Sequence, residues 1–308
     1  MKGRQYFLVL WVLISCNVAQ ERGRDSITSG KLKLGADLSY SILTDAQTFT
    51  YTHLNKYAEI NTQFLPESEL FQLLLKDSIQ AAITGRSLNS EETKYFESIQ
   101  RMPQSTLIAR DGVALIVSPS VIDTVISLDQ LHSICLGNVT RWEEIYAGSR
   151  KGEIKMVLEN FNGCNARTLM EKFGLEKLPP IFYALETSNE VFEYVKANPE
   201  SMGIVSLSWL SDEEDSVCAQ YRSMIRLMGI IDATNKDRPT LARRPFQAYV
   251  FDNTYPLTRD VYYIRTGLSG SLGTGFGNHL IGEKGQLIIH KLGMVAAKTP
   301  NRTVRIIE

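Results

Sequence analysis

The stretch ENFNGCNAR (159–167) follows a short apolar run, IKMVL, and leads into TLMEKF, whose apolar residues recur at helical spacing. A strand, a tight turn at Gly163 and a helix start together make a seat for an anion. The first N–H groups of a helix have no partner within it, and its dipole favours negative charge there. The side chains of this turn are unusual, because Cys164 stands where small hydroxyl donors would serve better. A cysteine at a helix N-terminus near Arg167 would be held toward its reactive thiolate. Nucleophilic chemistry also needs a base, and none is in evidence. His53, His132, His279 and His290 are scattered, none stands in a Cys-His phrase, and Cys-x-x-Arg is too short for a phosphatase loop. The pattern points to binding, with no enzymatic step.

Other candidate chemistry falls away on inspection. GSLGTGFG (270–277) lacks the Walker lysine and the G-x-G-x-x-G order, so it reads as a glycine loop leading into a helix, and no cofactor is expected. Cys135, Cys164 and Cys218 have no metal-ligand spacing; one disulfide among them is allowed, with its pairing open. The chain of 308 residues has a formal net charge of −1, which offers no general field for nucleic acid or anionic membranes. Any anion site must be local.

The elements that would position the turn alternate along the chain. KLKLGAD (31–37) reads as a first strand, followed through 38–44 by a helix across 45–58 and a second strand at INTQFL. Pro66 breaks that strand, ELFQLLLKD has helical apolar spacing, and IQAAIT reads as a buried third strand. Asn89 with Glu92 three residues on predicts a capping box opening the helix EETKYFESI. TLIARDGVALIVSP is long for one strand. Beyond it the rhythm resumes with IKMVL, RTLMEKF, NEVFEYVKAN and SMGIVSLSWL, where Gly203 lets helix and sheet approach, and later with YPLTRDVYYI. Such alternation predicts α/β units with mostly parallel strands. Crossings near 112–117 and 242–250 predict two lobes joined by two connecting strands, and DEEDS (212–216) reads as a solvated loop.

At the start, MKGRQ followed by ten apolar residues is too short to span a bilayer and reads as a signal peptide over 1–15. Leu13-Ile14-Ser15-Cys16 resembles a bacterial lipobox, which implies lipidation at Cys16 and a polar tether over 16–30.

Four phrases in order resemble one family: LDQLHSICLGNVTRWEEI, ARDGVALIV, TYPLTRDVYYI and GQLIIHKLGMVAA. They are similar to the periplasmic phosphate-binding proteins of ABC transporters, within the type II solute-binding folds, and the resemblance runs from about Lys31 onward. It implies two α/β lobes, 31–113 plus 246–308 and 114–245, closing on an oxyanion such as phosphate. It also implies a monomeric extracytoplasmic protein, lipid-anchored in the periplasm or at the cell surface, that delivers its ligand to an ABC transporter permease. Carried over by position, the ligand-binding set is Ser39, Tyr40, Ser68, Arg86, the turn Gly163, Cys164 and Asn165, and Arg167. Two departures stand out. Arg86 falls where the family places an aspartate that accepts the phosphate's proton, which implies poor rejection of sulfate; Arg86 is either an oxyanion fork or a surface arginine paired with Glu91 or Glu92. Gly163-Cys164-Asn165 falls on a Ser-Ser-Thr turn. The alternative is a surface sensor or interaction lipoprotein that kept the clamp and lost the ligand.

Overall fold

The computed structural model describes residues 25–298, apart from 146, 147, 149, 211–214, 236 and 237. The expected signal peptide and the lipobox at Leu13–Cys16 lie outside the described residues, as does most of the acidic run at 212–216.

The first lobe opens with β1 (Ser29–Asp37), α1 (Ser41–Leu54), β2 (Tyr57–Leu65), α2 (Glu67–Leu75), β3 (Ala81–Thr84) and α3 (Ser90–Ser98). The first helix begins at Ser41, because Asp37 accepts the Ser39 N–H and caps a 3-10 turn over Leu38–Tyr40. The capping box at Asn89 and Glu92 is formed in both directions. A single long strand, β4 (Gln104–Val117), then runs through the molecule. The second lobe carries β5 (Val125–Ser127), α4 (Leu128–Cys135), β6 (Lys155–Leu158), α5 (Cys164–Phe173), β7 (Phe182–Ala184), α6 (Ser188–Ala197) and β8 (Ser201–Ser206). After α7 (Ser216–Ser223) come β9 (Arg226–Leu227), β10 (Gly229–Ile231) and β11 (Ala242–Arg243). The chain returns through α8 (Gln247–Phe251) to β12 (Thr258–Arg265), α9 (Leu272–Ile281), α10 (Glu283–Lys291) and β13 (Val295–Ala296).

One ten-stranded sheet connects both lobes in the order β2-β1-β3-β12-β4-β8-β6-β7, with β13 and β9 added on β4. β10 pairs with β11 and β5 in a separate sheet of three. β4 makes the bridge: its first part, through Gly112, pairs with β12, and Val113–Ile116 pair with β8. At the junction the Val113 N–H donates to the Leu257 carbonyl, so the outgoing and returning segments lie side by side. β1 runs parallel to β2 and β3, and β6 runs parallel to β7 and β8. All four residues of β3 and all six of β8 are buried, as expected for strands covered by helices on both faces.

Gly203 does what its position predicted: a Cβ there would stand 2.7 Å from Ile116 and 2.8 Å from Val195, between β4 and α6. The glycines at 270–277 do not form a loop as expected. Most of them lie inside α9, where Gly275 packs against the Ile27 carbonyl and the Tyr51 hydroxyl and Gly277 against the Tyr263 ring. They form the contact face of a partly buried helix. The helical run expected from Gly277 onward is broken at Gly282, whose extended backbone separates α9 from α10.

Candidate functional site

The carboxyl ends of parallel strands in the two lobes face each other, and ligand sites of open α/β sheets form at such ends. Asp37 closes β1, Gly85 follows β3, Glu159 follows β6, and Ser206 closes β8. Helices α2 and α5 start at the same level, bringing Glu67, Cys164, Asn165 and Arg167 to the boundary. Asp37, Ser39, Tyr40, Cys164, Glu159 and Asn165 are all completely buried there.

The first N–H of α5 is taken by a carboxylate of the chain itself. The Cys164 N–H donates to Asp37 Oδ2 at 3.1 Å, while Asp37 Oδ1 accepts from the Ser39 N–H at 3.0 Å and from the Cys164 thiol at 2.9 Å. Around this pair the lobes are stitched by further polar contacts. The Ser39 hydroxyl donates to Glu159 across the boundary, and Asn165 Nδ2 donates to both Glu159 oxygens at 2.8 and 3.0 Å. The Trp209 indole N–H reaches the Ser39 carbonyl at 3.1 Å, and the Ser68 N–H reaches the Asn162 carbonyl at 3.1 Å. Arg167 donates through Nε to Glu67, whose other oxygen accepts from the Gly85 N–H at 2.7 Å. Gly85 must be small for this approach: a Cβ there would lie 2.8 Å from the Arg167 guanidinium and 2.9 Å from Cys164 Cβ.

Electrostatically the cluster is rich in acid. Asp37, Glu67, Glu159 and Asp111 are buried in this region, against the guanidinium groups of Arg167 and Arg259. Burial, and then the neighbouring Asp37 charge, push the Glu159 carboxyl above its ordinary range, against the bonds from Ser39 and Asn165. Burial works against the Arg167 charge, but Glu67 and Glu171 more than offset it and hold the group protonated. Unpartnered buried atoms gather here as well, namely Tyr40 Oη, Asn165 Oδ1 and Arg259 Nη1.

The positions carried over from the sequence fall into two groups. Ser39, Tyr40, Gly163, Cys164, Asn165 and Arg167 come together at the boundary. Arg86 does not join them as an oxyanion fork. Its two terminal nitrogens grip Glu92 at 2.8 Å each, and its guanidinium lies 3.4 Å over the Phe71 ring. Arg86 is thus part of the α3 cap, where burial opposes the Glu92 charge but the arginine and the Asn89 N–H hold that carboxyl below its usual range. Ser68 is exposed and contributes its backbone N–H to Asn162, while its neighbour Glu67 turns inward. The reactive-thiolate expectation for Cys164 is overturned. Burial and the Asp37 charge raise its thiol well above its usual range, although Arg259 opposes them. A thiol that donates to a carboxylate in a sealed cluster is a packing group. Cys135, Cys164 and Cys218 are all buried free thiols.

Sequence reasoning missed Glu67, Asp111 and Arg259. Asp111 and Arg259 stand in the ARDGVALIV and TYPLTRDVYYI phrases, but only the fold shows that they meet. Arg259 Nε and Nη2 donate to Asp111 Oδ2 at 3.2 and 2.9 Å. Asp111 Oδ1 accepts from the Leu207 N–H at 3.3 Å, which ties the pair to the second lobe.

A protein of Clostridium perfringens described as a phosphate ABC transporter substrate-binding protein, solved with bound phosphate, has a similar structure. The TM-score is 0.72 at 17% identity, over 87% of this chain and 100% of that one. An ABC-type phosphate transport receptor from Vibrio cholerae matches at a TM-score of 0.63 and 17% identity, again over 87% and 100%. A phosphate-binding protein from Stenotrophomonas maltophilia matches at 0.64 and 12% identity, over 88% and 92%. At these identities the likeness speaks to the fold. A search of curated protein sequences gives no match. The sequence matches the PBP superfamily domain over residues 25–284, and the chain, two-lobed and α/β throughout, belongs to that superfamily.

Proposed function

We propose that this chain is an extracytoplasmic solute-binding protein that takes phosphate or a similar oxyanion between its lobes and delivers it to an ABC transporter. It performs no chemistry on the ligand. The observation that carries this reading is the Asp37 carboxylate seated on the Cys164 N–H at the start of α5. A carboxylate is an oxyanion, so the seat is shaped and polarised for one. The ligand-bearing names of the similar structures support the same class of ligand. In this reading the lobes are 31–113 with 246–308 and 114–245, the protein acts as a monomer, and Cys16 carries a lipid anchor that holds it at the membrane surface. Ser39, Tyr40, the turn 163–165 and Arg167 line the binding cleft, while Arg86 and Ser68 support it from outside.

Ligand entry requires the lobes to part and Asp37 to leave the seat. Once displaced, the buried carboxylates can accept a proton from hydrogen phosphate, which sulfate cannot offer. The ground for expecting poor rejection of sulfate, the lack of an acceptor at position 86, therefore no longer holds. Calorimetric titration of the purified protein with phosphate, sulfate, arsenate and molybdate tests the reading. It predicts binding of phosphate and arsenate in preference to sulfate. Failure to bind any of the four would refute it.

A further inference from the structure

The unpartnered buried atoms of the boundary are not spread at random. Arg259 projects from β12 with its side chain 3% exposed, and two of its nitrogens are satisfied by Asp111. The third, Nη1, has no partner among the described residues. Its guanidinium lies 5.0 Å from the centre of the Tyr40 ring, and the Tyr40 hydroxyl, fully buried, also lacks a partner. Donors without partners are rare in folded interiors because each has given up its water. Two on side chains this close together need an explanation. Tyr40 belongs to the turn that Asp37 caps and packs in one buried cluster with Cys164, which puts the pair next to the anion seat.

We infer that Arg259 and Tyr40 form the floor of the oxyanion cradle, with the Arg259 Nη1–H and the Tyr40 O–H donating to a tetrahedral oxyanion held against the start of α5. The inference deepens the reading above and rests on it. It adds a cation that no positional comparison supplied and removes the need for Arg86. A planar guanidinium held on Asp111 by one edge keeps its other edge free in a fixed direction. The same Asp111 accepts the Leu207 N–H, so an anion on Arg259 is connected through one carboxylate to the second lobe. Ligand charge and lobe position are coupled at this pair.

The experiment is phosphate titration of the whole chain by calorimetry, on wild type, on Tyr40→Phe and on the double variant Asp111→Asn/Arg259→Gln. The double variant removes both charges together and so leaves no buried ion without a partner. Tyr40→Phe should weaken phosphate by about tenfold or more, and the double variant by about a hundredfold, as loss of donors to a charged ligand implies. The ligand-free Tyr40→Phe protein should melt no lower than wild type, since the atom removed had no partner, while its stabilisation by phosphate shrinks. If both variants bind phosphate within about threefold of wild type, the inference is overturned and the binding function stands. A lower melting temperature of Tyr40→Phe with unchanged affinity also overturns it, by making the hydroxyl structural. Should the double variant not fold, Tyr40→Phe decides alone. If wild type binds none of the four oxyanions, the function and the inference fall together.

Discussion

Asp37→Asn changes one atom of the anion seat and keeps its shape. In the wild type the Asp37 carboxylate accepts from two backbone N–H groups, those of Ser39 and Cys164, and sits at the N-terminus of a ten-residue helix. A hydrogen bond to a charged group contributes roughly 1.5–3 kcal/mol, against about 0.5–1.5 for a neutral one. The change therefore weakens self-occupancy by about 1 kcal/mol for each of the two donors, and loss of charge from the helix terminus adds roughly 0.3–1 kcal/mol. The amide also turns an N–H toward one former donor. An incoming oxyanion competes with this internal ligand, so about 2–3 kcal/mol less opposition should appear as roughly 30- to 150-fold tighter phosphate binding. Because the displaced aspartate recovers part of its stabilisation elsewhere, about tenfold is the least that the reasoning permits. Calorimetric titration near neutral pH on wild type and variant measures the ratio directly. Equal affinity, or weaker binding by the variant, would mean that Asp37 does not compete with the ligand, and the displacement argument would be wrong.

Arg86→Ala should leave phosphate affinity within about threefold of wild type. It should cost about 1–2 kcal/mol in denaturant unfolding, because it removes the Glu92 fork and the stack on Phe71. Glu159 makes stability depend on pH. Its folded-state pKa is raised above the ordinary 4.5, so its contribution is fully present below that value and is lost as pH rises through the folded pKa. Ligand-free thermal unfolding followed from pH 4 upward should show this fall, and Glu159→Gln should flatten it; an unchanged profile would count against the assignment. Cys164 should resist alkylation near neutral pH in the folded, ligand-free protein and react once the protein is unfolded. Fast alkylation of Cys164 in the native state would bring back the reactive-thiolate reading.

Local signals carried most of the fold. The Asn89–Glu92 cap, the break at Pro66, the buried run before Thr84 and the close approach at Gly203 each follow from short-range chemistry. The length of β4 gave away the crossing between lobes, because fourteen residues are more than the strands of one lobe can pair, and β4 passes from β12 to β8 within one sheet. The glycines of α9 misled because their spacing looks the same whether they free a loop or let a helix lie close to a tyrosine. The site was legible in half. Helix starts and the turn at Gly163 are local, so Ser39, Cys164 and Asn165 were found. Arg259 meets Asp111 across 148 residues of chain, and Glu67 meets Arg167 across 100. No pattern within one segment encodes those encounters. For Arg86 the sequence left two readings open, an oxyanion fork or a pair with Glu91 or Glu92, and the structure shows the pair with Glu92, six residues on.

The central claim is that the start of α5 is an oxyanion seat occupied by Asp37 when no ligand is bound. The most direct measurement is a crystal structure of the wild-type chain grown with saturating phosphate. The account predicts a tetrahedral anion between the Cys164 N–H, the Tyr40 hydroxyl and Arg259, with the Asp37 carboxylate moved off the Cys164 N–H. A cleft still closed on Asp37, with no anion between the lobes, would contradict it.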